Sequence, residues 1–155
     1  MVRLAKAADV LPITLIARLT LEDAYHELLS DYASSKFIED FYNTTIIEGL
    51  VEAGNMLVVE NEEGLSVGFL SFKVVDSECE IVSLYILPRF QKEGYGSKLL
   101  AALYEHTKAK EYFTDIESRN IPTQKFYAQH GYIHETSYPQ DLYGQPLKIT
   151  RLRKA

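Results

Sequence analysis

Two glycines, Gly94 and Gly96 in "QKEGYG" (Gln91–Gly96), stand between an apolar β-branched run and a helical apolar pattern. Where a helix begins, its first backbone N–H groups have no partner within the helix, and the helix dipole adds partial positive charge. Glycines let such a loop curl so that these groups converge on one anion, typically a phosphate. The same letters also fit a strand–helix turn that needs glycine for its backbone angles alone. Two phosphate motifs are excluded. A P-loop ends Gly-Lys-Ser/Thr, whereas the order here is Gly96-Ser97-Lys98 and the upstream glycine is missing. A dinucleotide fingerprint needs a third glycine where Leu99 stands, and no βαβ half opens the chain.

The elements that must position this loop follow from hydrophobic periodicity. "VRLAK" (Val2–Lys6) is a short strand candidate. From Asp9 to about Gly54, apolar residues recur at helical spacing: Ile13, Ile16 and Ala17; Ala24, Leu28 and Leu29; Phe37, Phe41 and Tyr42; Ile46, Ile47, Leu50 and Val51. This predicts two or three helices, broken at "LTLED" and "YASSK", with Gly54 as the final cap. The period then changes. Asn55–Glu60 and Leu65–Val75 read as a hairpin around "NEEG", and Cys79–Leu87 as a central strand. Leu99, Leu100, Leu103 and Thr107 predict a helix over about 97–109. "YFTDIES" reads as a strand, "PTQKFYAQH" as a short helix closed by Gly131, and "YIHETSY" with "LKITRLR" as a hairpin around "PQDLYGQP". The order β, helices, β-β-β, α, β, α, β-β predicts an α/β (α+β mixed) fold: a mixed sheet covered by helices, in a single domain over 1–155.

Composition narrows the function classes. The chain of 155 residues is 46% hydrophobic and 25% charged, an ordinary globular balance. The lone Cys79 allows no internal disulfide and suits a reducing cytoplasm, which is the expected location. No apolar run approaches the length of about 20 residues that spans a membrane. "AADVLPITLIA" after Arg3 and Lys6 is interrupted by Asp9, Pro12 and Arg18, so no signal peptide is expected. The net charge of −6 is split unevenly, with −9 over residues 1–78 and +3 over 79–155. The basic half suits a phosphate-bearing ligand and the acidic half a cation, although solvated faces alone would give the same asymmetry. No Lys/Arg cluster interleaves with aromatics, so nucleic acid is not an expected partner. His130 and His134 are separated by the helix-breaking Gly131, and His26 and His106 are isolated, so no metal is expected.

"QKEGYG" resembles the pyrophosphate-binding loop of the GNAT N-acetyltransferase superfamily, Gln/Arg-x-x-Gly-x-Gly/Ala. "YILPRF" leads into it as that family's fourth strand does. "NIPTQKFYAQHGY" is similar to the family's Asn-x-x-(Ala)-x-x-Phe-Tyr-x-x-x-Gly-Phe segment, with Thr123 at a usually small position and Tyr132 for Phe. The resemblance covers nearly the whole chain and is weakest over residues 7–54. It implies a mostly antiparallel GNAT-like sheet and acetyl-CoA as co-substrate. "YASSKFIEDFYNTTIIEGL" and "LYILPRFQKEGYGSKLL" further resemble bacterial polyamine acetyltransferases.

The resemblance implies roles residue by residue. Backbone amides of Gln91, Lys92, Glu93, Gly94, Tyr95, Gly96 and Ser97 would hold the pyrophosphate, with charge from Lys92 and Arg89. Leu84, Tyr85 and Ile86 would run beside the pantetheine arm where the neighbouring parallel strand splays away, one N–H polarising the thioester carbonyl. Asn120 would bond the pantetheine. Tyr127 would protonate the leaving thiolate. An alkylammonium is free amine only to roughly one part in a thousand near neutral pH, so a base must take its proton. Glu80 matches the family's glutamate, fourteen residues before Gly94, and strand alternation would put it on one face with Val82 and Leu84. Glu78 is the second choice. Cys79 lacks a His partner and reads as packing, so the amine attacks directly in a ternary complex. The expected acceptor is a small cationic amine, a polyamine among the candidates, drawn by acids such as Glu22, Asp23, Glu27, Glu39 and Asp40. Two other readings stand beside it: a non-catalytic acyl-CoA-binding module, and transfer to a protein or peptide amine. Tyr138 and Tyr143, read as exposed, make a homodimer a further expectation.

Overall fold

A computed structural model describes residues 1–155. The chain runs β1 (Val2–Leu4), α1 (Val10–Tyr25), α2 (Asp31–Phe41), α3 (Thr44–Glu52), β2 (Met56–Glu60), β3 (Ser66–Val75) and β4 (Glu78–Ile86). It continues with α4 (Tyr95–Thr107), β5 (Glu111–Glu117), α5 (Ile121–Gln129), β6 (Ile133–Leu142) and β7 (Gln145–Lys154). The seven strands form one sheet in the order β1-β2-β3-β4-β5-β7-β6. Only β4 and β5 run parallel; every other pairing is antiparallel. The sheet class and element order are those expected from the sequence.

Apolar periodicity explains the two layers. On one face, Leu99, Leu100 and Leu103 of α4 are fully buried with Leu57, Leu70, Phe72, Cys79 and Ile81 of the sheet. On the other, Ile13, Ile16, Ala17 and Leu21 of α1 and Ile47 of α3 pack on Met56 and Phe69. Each fully buried aliphatic side chain stabilises the fold by roughly 1.5–3 kcal/mol.

Two helix breaks lie elsewhere than the sequence suggests. "LTLED" sits inside α1 and "YASSK" inside α2. The breaks fall where a side chain caps a new helix: Ser30 Oγ accepts from Ala33 N at 3.1 Å, and Asn43 Oδ1 from Ile46 N at 2.8 Å. Each supplies an acceptor for an otherwise unpaired N–H, so the chain restarts there. The "PQDLYGQP" loop is also shorter than expected. β6 and β7 stay paired out to Leu142 and Gln145, and Tyr143 (φ 49°) and Gly144 (φ 88°) alone make the turn. Two positive φ values in succession match the right-handed twist of the flanking strands. Pro139 is tolerated because β6 is the sheet edge.

A bulge in β4 reassigns faces. Ser71 pairs with Ser83 and Phe72 with Ile81, leaving Val82 as the extra residue. Cys79 and Ile81 point into the α4 layer before the bulge, and Leu84 and Ile86 do so after it. Glu80 therefore faces away from Leu84, contrary to simple alternation, because one inserted residue inverts the two-residue period.

Candidate active site

The centre of the molecule is a place where the sheet opens. β4 and β5 pair only from Glu78–Glu111 to Glu80–Phe113, after which they share no partners. The carbonyl of Ile81, first beyond the last pair, is taken by the Thr114 hydroxyl at 2.9 Å. That side-chain bond satisfies a backbone acceptor the ladder would have used, so the splay needs no buried orphan there.

At the end of β4, the Gln91 side chain donates to the Ile86 carbonyl at 2.9 Å, bracing the loop against the strand. Lys92 (φ 64°) and Gly94 (φ 90°) turn the backbone through left-handed conformations before α4 begins. The first bond inside the helix is Lys98 N to Gly94 O. The N–H groups of Lys92, Glu93, Gly94, Tyr95, Gly96 and Ser97 donate to no protein acceptor. A row of free donors at a helix N-terminus is built for an anion. Gly96 is needed for contact with α5, since a Cβ there would lie 3.0 Å from Cε1 and Cζ of Phe126.

The loop, the splayed end of β4 and α5 enclose a cavity of about 780 Å³. Of the expected residues, Leu84, Ile86, Gln91, Lys92, Gly94, Tyr95, Gly96, Ser97 and Tyr127 line it. Glu93 stands in the loop without lining the cavity. Tyr85 points to the opposite face of the sheet, edge-on to Tyr42 and Phe69 with ring centroids 5.9 Å and 5.7 Å away. Arg89 lies over its neighbour Phe90, 5.3 Å from the ring centroid.

Tyr127 is 2% exposed and packs edge-on against Phe126 and Tyr132. Burial pushes its phenol pKa up, opposed in part by the neighbouring Thr114 side chain, so the hydroxyl holds its proton. Thr114 thus stands at the apex of the splay, on the side of the tyrosine. Asn120 caps α5, accepting from Thr123 N at 3.4 Å, and its amide donates to the Tyr25 hydroxyl at 3.4 Å.

Glu80 lies in the paired part of β4, half-buried and without a hydrogen-bond partner, and it does not line the cavity. Burial first, and then the like charge of Asp115, push its pKa up, while Arg151 and Lys73 pull it partly back. Asp115 itself is bound by Arg151 and accepts from Tyr138. Glu78 is held by Arg153. Cys79 is buried in the α4 layer, and burial pushes its thiol up to about 12. The two aromatics of the last hairpin are half-buried, with their hydroxyls taken within the chain: Tyr138 donates to Asp115, and Tyr143 to Asp40 at 2.5 Å.

Polar bonds also fix the connection between α1 and α2. Arg119 and Gln145 each donate to the Leu28 carbonyl at 2.9 Å, and Ser30 N donates to Gln145 at 2.7 Å. These bonds tie the α1–α2 connection to the end of β5 and to the β6–β7 turn. Glu22, Asp23, Glu27, Glu39 and Asp40 are exposed around that connection. Glu22 and Glu39 line a second cavity of about 410 Å³ between α1 and α2.

Sequence reasoning missed three residues. Thr114 carries no motif. Lys125 lines the cavity unannounced. His130 lines it too, with Nδ1 2.9 Å from the Phe126 carbonyl and Nε2 2.9 Å from Ser97 Oγ. Its place one turn after Phe126, at the end of the family-like segment, was the available signal. No group of three or more His, Cys, Asp and Glu side chains is arranged to hold a metal ion. No helix is long and apolar enough to cross a membrane.

A family model described as "Acetyltransferase (GNAT) family" matches residues 21–132. No curated protein matches the chain. Among solved structures, a PaiA N-acetyltransferase from Thermoplasma acidophilum in complex with coenzyme A superposes with TM-score 0.84 at 18% identity, covering 99% of this chain and 97% of that one. A GCN5-related N-acetyltransferase from Rhodopseudomonas palustris gives TM-score 0.83 at 20% identity, over 100% and 94%. YncA from Salmonella typhimurium with its cofactor acetyl-CoA gives 0.71 at 22%, over 99% and 92%. At these identities the likeness is one of fold.

Proposed function

The chain belongs to the acetyltransferase (GNAT) family, and from that premise we propose that it moves the acetyl group of acetyl-CoA to a primary amine of a small cationic acceptor. The observation that carries this reading is the row of unpartnered N–H groups from Lys92 to Ser97 at the mouth of the β4–β5 splay. The pyrophosphate binds these donors. The pantetheine arm lies along Leu84–Ile86, where β4 has lost its parallel neighbour, and brings the thioester toward Tyr127. Structures of the same fold are described with coenzyme A and acetyl-CoA bound, which supports the donor.

The amine enters from the α1–α2 side, where the acidic rim favours a cation and a polyamine suits the spread of charge. Glu80, on that face of the sheet, receives the ammonium proton through solvent. The neutral amine attacks the carbonyl carbon, the tetrahedral oxyanion is held by a β4 N–H, the nitrogen gives its second proton to solvent, and the C–S bond breaks to leave amide and thiolate. Tyr127 donates a hydrogen bond to the departing sulfur. An ordinary thiol with pKa about 8.5 is more acidic than this phenol, so stabilising the thiolate matters more than full proton transfer. No acyl-enzyme is used, because Cys79 is buried among apolar side chains with its thiol held protonated. The lone reduced cysteine fits a cytoplasmic setting.

The test is CoA release by the purified protein with acetyl-CoA and a panel of polyamines, amino acids, aminoglycosides and short peptides. Turnover with polyamines well above the rest supports the reading. Turnover confined to peptides would move the acceptor to protein amines, and none with any amine would leave a CoA-binding module. Initial rates varied in both substrates should give intersecting rather than parallel lines if both bind before chemistry.

A further inference from the structure

At the anion loop, one histidine is placed with both ring nitrogens engaged. His130 ends α5 and faces the first turn of α4. A carbonyl can only accept, so Nδ1, 2.9 Å from the Phe126 oxygen, carries the ring proton. In the neutral ring Nε2 is then an acceptor, and the Ser97 hydroxyl 2.9 Å away must donate to it. Ser97 has a single hydroxyl proton. While His130 is neutral, that proton points at the imidazole and not at an anion held by the Ser97 N–H.

We propose that His130 is part of the phosphate site, holding the Ser97 hydroxyl so that binding of the pyrophosphate tightens as His130 takes up a proton. On protonation Nε2 becomes a donor, and Ser97 Oγ accepts from it without moving. The hydroxyl proton is released toward the cavity, and a positive charge stands one side chain behind it. A pyrophosphate thus gains a donor and a nearby cation together. The charged side chains that share the cavity wall with His130 are Lys92 and Lys125, and the Lys154 ammonium lies beside the adjoining Gly131. None of these is a histidine, the side chain whose ordinary titration falls between pH 5 and 8. The inference rests on the cavity being the CoA site, and its test separates the two.

Dephospho-CoA is the probe, because it keeps the pyrophosphate and lacks the monoester that itself titrates near pH 6. Its dissociation constant is measured by calorimetry from about pH 5.5 to about pH 8.5, around the ordinary imidazole range. For the wild type it should fall about fivefold or more toward acid. His130→Gln can still accept from Ser97 but cannot titrate, so its affinity should be flat with pH. Ser97→Ala should show a shallower slope, keeping the charge and losing the donor. A readout without substitution follows from linkage: the His130 ring resonances should titrate at higher pH with dephospho-CoA bound than without it. Equal slopes in wild type and His130→Gln, or an unmoved His130 titration, would overturn the proposal. Absence of binding to the wild type at every pH would overturn the cofactor site itself, and the role of His130 with it.

Discussion

Phe126 occupies the space that a side chain on Gly96 would need: a Cβ at 96 would lie 3.0 Å from two atoms of its ring. The same pair of helices is joined one residue on by Ser97 and His130. The anion loop and α5, which carries Tyr127, are therefore set against each other by contact at one glycine. Gly96→Val should force α4 and α5 apart, lowering stability by about 1–3 kcal/mol through overpacking and weakening CoA binding more than tenfold. Calorimetric titration with CoA, beside a thermal melt, checks both effects.

Tyr127→Phe keeps the ring in its packed site and removes the hydroxyl. The variant should fold and bind CoA like the wild type, while turnover falls about 10²-fold or more. Equal turnover in the two proteins would remove Tyr127 from the chemistry.

Gln91 acts through Ile86 and not through the anion, since its amide is spent on the strand carbonyl. A hydrogen bond of this kind contributes about 1 kcal/mol, so Gln91→Ala should raise KM for acetyl-CoA roughly fivefold with kcat little changed. A loss confined to kcat would contradict a bracing role.

Glu80 has a folded-state pKa raised by burial and by Asp115. For a raised carboxylate, the favourable contribution is present below the unfolded value and is lost as pH rises through the folded value. Glu80→Gln should therefore melt higher than the wild type at neutral pH, with the gap closing below about pH 4, where the unfolded carboxyl is also protonated. If Glu80 is the base, the same variant should lose turnover at neutral pH. Gain in stability with activity retained would leave it a strained surface acid.

Asp9 shows the opposite sign. The Arg3 guanidinium, bonded at 2.7 Å and 3.0 Å, holds its carboxyl below the usual range despite burial, and the Lys6 N–H adds to this. Its contribution is present above the unfolded carboxylate value and is lost as pH falls through the lower folded one. Arg3→Met should narrow the acid side of the stability profile, seen as unfolding at a higher pH in an acid titration.

The local pattern of this chain determined much. Leu99, Leu100 and Leu103 on one helical face specify α4, and "QKEGYG" followed by that face specifies a glycine turn into a helix N-terminus, because spacing and glycine freedom are properties of the chain itself. Tyr127 and Asn120 were singled out by the family resemblance of "NIPTQKFYAQHGY" and not by periodicity. Three features were decided only by the tertiary structure. The Val82 bulge turned Glu80 away from Leu84, since an unpaired residue depends on the partner strand and not on local preference. The β4–β5 splay depends on Thr114 reaching Ile81 across the gap, a contact between residues 33 apart in sequence. His130 came to the Gly94–Ser97 loop only because α5 packs on Gly96. Periodicity encodes which face of an element is apolar, whereas where two elements part or touch is set by the packing of both.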